Sequence, residues 1–70
     1  MDIQAFLITE EDTLLFSHIT GYSKDVLDKN LGWVIVIDRT RYFPKRYILP
    51  RARFDRDYPN VEFYQKYTYE

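Results

Sequence analysis

Apolar and polar positions change rhythm several times along this chain, and each change marks an element. Two apolar runs, IQAFLI and TLLFSHI, flank the acidic triplet Glu10, Glu11, Asp12. β-Branched residues at Ile3, Ile8, Thr9, Thr13, Ile19 and Thr20, without a clean i, i+4 stripe, predict a hairpin of two strands around a polar turn rather than a helix.

The next stretch, GYSKDVLDKNLG, predicts a short helix. Ser23 suits its N-cap, Asp25 its positive end and Gly32 a left-handed close. Tyr22, Val26, Leu27 and Leu31 recur on neighbouring turns, so one face is apolar while Lys24, Asp28 and Lys29 stay wet.

Trp33 to Ile37, WVIVI, shows no alternation at all, as expected of a central strand covered on both faces. Pro44 and Pro50 then punctuate RTRYFPKRYILPRARF, which reads as strand, turn, strand. After the turn chemistry of Asp57 to Asn60, the tail VEFYQKYTYE alternates with period two and predicts a terminal strand. The expectation is a single small α+β domain over residues 1–70, built as β-β-α-β-β-β. Its five or so strands form a small antiparallel sheet or open barrel, and it carries one short helix.

Seventy residues without cysteine exclude disulfides, and the single histidine, His18, argues against a protein-only zinc site. A core this small supplies only ~3–5 kcal/mol. Dense aromatic packing, at 19% of residues, or association has to make up the margin. The opening residues show no basic n-region or long apolar h-region, and no apolar run approaches the roughly 20 residues of a membrane helix. The expected setting is cytoplasmic, with no membrane contact.

Net charge is −1, so total charge gives no argument for a polyanion partner. Its distribution is more telling. Residues 1–30 carry six acids against two lysines, and residues 39–56 carry seven bases against Asp55. Residues 39–54 alone hold Arg39, Arg41, Lys45, Arg46, Arg51 and Arg53 among Tyr42, Phe43, Tyr47 and Phe54.

No catalytic set assembles. His18 and Ser17 point to opposite faces of a predicted strand, and the acids of the triplet crowd a turn without the glycine and spacing of a calcium loop. Gly21 and Gly32 are too few for a phosphate-cradling loop. No enzyme, cofactor or metal is expected. Residues 19–32 resemble the segment of PAS sensor domains that leads into a short helix; the likeness covers fourteen residues of helix-capping chemistry and carries over no residue role.

Arginine and tyrosine serve two kinds of recognition. They stack on and pair with single-stranded nucleic acid, and they anchor protein interfaces. The near-neutral chain and its acidic first half favour the protein partner. The expected function is therefore a non-enzymatic binding module, of the size class of phage-encoded inhibitors of host or defence complexes. It docks a hairpin through Arg39, Arg41, Tyr42, Phe43, Lys45, Arg46, Tyr47, Arg51 and Arg53, with the partner's nucleic-acid site as one target. A small β protein that binds RNA or single-stranded DNA is the alternative. Whether the four arginines at 39, 41, 51 and 53 share a face depends on the hairpin register: an even sum of paired numbers unites them and an odd sum splits them. The proline-free tail also offers an edge for homodimerisation.

Overall fold

A computed structural model describes residues 2–64. In chain order it contains β1 (Ile3–Leu7), a 3-10 turn (Glu10–Asp12), α1 (Thr13–Thr20), α2 (Lys24–Asp28), β2 (Val34–Asp38), β3 (Lys45–Leu49) and α3 (Arg51–Asp57). The three strands form one antiparallel sheet in the order β1-β2-β3. The α+β class and the antiparallel sheet are as expected. The architecture is an open three-stranded sheet with helices on both faces.

β2 explains this layering. Val34, Ile35, Val36 and Ile37 are all buried, and successive side chains point to opposite sides of the sheet. One face joins Ile35 and Ile37 to Phe6, Ile8, Phe16 of α1 and Leu27 of α2. The other joins Val34 and Val36 to Ala5, Leu49 and Phe54 of α3. Full burial of each such side chain contributes about 1.5–3 kcal/mol, so the uninterrupted apolar run carries much of a small domain's stability.

Two predicted strands are helices. In TLLFSHIT, the buried positions Thr13, Phe16 and Thr20 recur with helical spacing and cover the first face. Thr20 settles its β-branched side chain there by donating its hydroxyl to the Phe16 carbonyl at 2.7 Å. The acidic triplet is therefore no hairpin turn. It leads into α1, where carboxylates complement the helix's positive end, and Thr9 bonds Asp12 through both hydroxyl and carbonyl. Gly21, at φ 86°, ends α1 in the left-handed conformation.

RARFDRD is the second correction. It forms α3, which starts directly after extended Pro50 and spaces Arg51 from Asp55 and Arg53 from Asp57 by one turn. The expected helix after Ser23 is present as α2, with the Ser23 side chain accepting from Val26 N–H. At the start of the tail, Phe63 makes an isolated parallel bridge to Ala5, and Tyr64 N–H donates to the Ala5 carbonyl at 2.6 Å. The rest of the expected terminal strand, residues 65–70, lies outside the described residues. Five strands are not found among the described residues.

Candidate functional site at the hairpin tip

β2 and β3 pair with Val34 opposite Leu49 and Asp38 opposite Lys45, which leaves residues 39–44 as the connecting loop. The loop's beginning is held from several sides. Arg39 N–H donates to the Asp2 carbonyl at 2.8 Å, and Arg39 Nε to Gln4 Oε1 at 3.1 Å, tying it to the start of β1. Asp38 Oδ1 accepts from the Thr40 N–H at 2.9 Å and from the Thr40 hydroxyl. Those two bonds, with Arg41 and Lys45 nearby, hold the Asp38 carboxyl below its ordinary range.

From this fixed base the chain projects Tyr42 and Phe43, 92% and 76% exposed. Their rings meet edge to face with centroids 4.7 Å apart. Arg39, Arg41 and Lys45 surround the pair and are themselves exposed. The result is a cationic loop carrying two large rings in water. No enclosed pocket occurs among the described residues.

The other predicted contact residues sit elsewhere. Arg46 points to the α1 face, where Nη1 donates to the Thr20 carbonyl at 2.6 Å and the guanidinium lies 4.5 Å from the Tyr22 ring centroid. Tyr47 points to the α3 face and shares a short hydroxyl hydrogen bond with Tyr58. That bond, followed by burial, pushes the Tyr58 pKa up to about 12.

Arg51 and Arg53 follow the far end of β3, five residues from the loop, or roughly 13 Å at a strand's rise. Arg51 lies over the Phe63 ring at 4.9 Å and pairs with Asp55; Arg53 pairs with Asp57. The pairing numbers of β2 and β3 add to an odd total, and α3 replaces the second strand, so the four arginines do not share a face.

The structure thus brings together Arg39, Arg41, Tyr42, Phe43 and Lys45, and separates Arg46, Tyr47, Arg51 and Arg53 from them. Sequence reasoning missed Asp38 and Thr40, which shape the loop. The available signal was the Asp-x-Thr spacing, which suits a side-chain-to-backbone turn.

His18 is exposed in the last turn of α1. Among the described residues no three His, Cys, Asp or Glu side chains converge as metal ligands, and no helix is long and apolar enough to cross a membrane. No family model matches the chain, and comparison with curated proteins and with solved structures gives no match either.

Proposed function

We propose that this protein is a non-enzymatic binding module whose hairpin tip docks onto another protein. The observation that carries the reading is the Tyr42–Phe43 pair, almost wholly exposed on a loop that Asp38 and Arg39 hold in place. Leaving two large rings in water has no stabilising value for the free domain, whereas rings on an ordered loop bind at low entropic cost. Aromatic and arginine anchors of this kind dominate binding energy at protein interfaces. The three cations around them suit an acidic rim on the partner and speed encounter. Inhibition of a host or defence complex at its nucleic-acid site is the finer form of this reading, because an acidic rim beside an apolar pocket leaves that site to be blocked sterically.

Direct binding of single strands fits less well, since Arg46, Arg51 and Arg53 are engaged within the fold and the remaining cations are confined to the tip. The test is a nuclease-treated capture from host lysate with wild type and a Tyr42→Ala, Phe43→Ala double variant in parallel. A stoichiometric protein should be retained by the wild type, and the variant should bind it at least ~30-fold more weakly, about 2 kcal/mol. Equal binding by the two forms, or capture that vanishes with nuclease, would remove the reading.

A further inference from the structure

We propose that the outer edge of β3 is a docking surface for a second copy of this chain, strand against strand, with Tyr47 on the two-fold axis. The surface is separate from the hairpin tip and does not depend on the tip's function. The sheet ends at β3, whose one strand neighbour among the described residues is β2. At the other end of the sheet, the Phe63 bridge and the Tyr64 N–H bond already occupy the outer side of β1. The open backbone edge is therefore at β3, and not at the tail strand that the sequence pattern suggested.

The residues of β3 specify a second copy and a register. Pro44 and Pro50 lie three residues either side of Tyr47, so a two-fold axis there sets Pro44 against Pro50 of the second copy. The prolines, which have no N–H to give, then fall outside a ladder that uses every residue from Lys45 to Leu49. Lys45 comes to lie opposite Leu49, Arg46 opposite Ile48 and Tyr47 opposite Tyr47, with no like charges facing. An axis at Arg46 sets the two Arg46 residues against each other, and one at Ile48 sets Arg46 against Pro50, which offers no N–H. Charge and proline spacing select the same register.

Half-buried Tyr47 and Ile48 supply apolar surface along this edge. On the α3 face the way is clear: Phe54 stacks on Phe63 at 5.2 Å and Arg51 lies over the same ring, which draws α3 toward the β1 side of the sheet. Pairing would make a continuous six-stranded sheet with the two hairpin tips at opposite ends.

Sedimentation equilibrium of the full chain should give twice the 8.6 kDa chain mass. A mass that stays at one chain up to about 1 mM, the weak end of specific association, overturns the proposal. Amide exchange distinguishes edge from interior: in the dimer the N–H groups of all five β3 residues exchange slowly, whereas alternating fast and slow exchange along β3 overturns it.

Directly opposed residues have Cα atoms about 4.5–5.5 Å apart, within disulfide reach, so oxidised Tyr47→Cys should form a covalent dimer. Lys45→Cys should not, because its symmetry mate is displaced by about 13 Å along the strand. A folded Tyr47→Cys chain that fails to cross-link refutes the register; if that variant does not fold, exchange on the wild type decides. The Tyr42→Ala, Phe43→Ala variant should retain the doubled mass, and its reversion to a monomer would move the interface to the tip and overturn the β3 assignment.

Discussion

Arg46 donates from Nη1 to the Thr20 carbonyl at 2.6 Å while its guanidinium rests over the Tyr22 ring, so β3 is fastened to the C-terminal end of α1. The last carbonyls of a helix lack intrahelical partners and carry the negative end of its dipole, which makes a guanidinium a fitting cap. A hydrogen bond to a charged group is worth about 1.5–3 kcal/mol and an exposed cation–π contact about 0.5–1. Arg46→Ala should therefore lower stability in urea unfolding by about 2 kcal/mol while leaving affinity for the tip's partner nearly unchanged. Arg46→Lys should recover less than half of the loss, because an ammonium does not reproduce the planar fork.

Gly21 is the neighbouring dependency. It adopts φ 86°, and a Cβ built there would lie 2.6 Å from Arg46 Nη1. The left-handed backbone alone costs a non-glycine residue about 1–2 kcal/mol. Gly21→Ala should destabilise by at least that amount in urea unfolding and should shift the Arg46 guanidinium. The combined Gly21→Ala, Arg46→Ala variant should then lose less than the sum of the two single effects.

The tip should behave in the opposite way. Tyr42 and Phe43 bury little within the fold, so replacing either by alanine should change thermal or urea stability by less than about 0.5 kcal/mol. Asp38→Ala removes both bonds to Thr40 and should raise amide exchange across residues 39–43 without unfolding the sheet. Weaker partner binding by Asp38→Ala, with Tyr42 and Phe43 intact, would identify loop order as part of the affinity.

Alkaline stability should depend on the two tyrosines that join β3 to α3. Tyr58 ionises at about 12 in the fold against 10.0 ordinarily, first because of its hydrogen bond to Tyr47. A raised folded-state pKa contributes stability that is complete below pH ~10 and is lost as pH rises through about 12, because the unfolded chain releases the proton first. Urea midpoints measured from pH 9 to 12 should fall over that window. Tyr58→Phe should flatten the fall and lower the stability at neutral pH.

Particular elements show why the sequence was readable in some places and silent in others. Val34 to Ile37 announced a central strand because burial on both faces leaves an uninterrupted apolar run, and Ser23 announced α2 because its hydroxyl meets an open helix amide. TLLFSHIT was ambiguous. Its β-branched residues favour a strand locally, and the helix prevails because Thr13, Phe16 and Thr20 then cover the face made by Phe6, Ile35 and Ile37. RARFDRD holds one large buried residue, Phe54, too little for a hydrophobic period, although its paired charges at i, i+4 were a helical signal in plain view.

The sequence by itself determined the central strand, the short capped helix, the break points at Pro44 and Pro50, and the residue types from which a binding surface is made. Those follow from properties of single residues and near neighbours: burial pattern, capping geometry, fixed φ and charge. The tertiary structure decided which arginines are taken up inside the fold, that Arg39, Arg41 and Lys45 gather around Tyr42 and Phe43, and that β3 ends the sheet. Those outcomes depend on contacts such as Arg46 with Thr20 and Arg51 with Phe63, between residues far apart in the chain, and no local pattern encodes which distant partner a side chain meets.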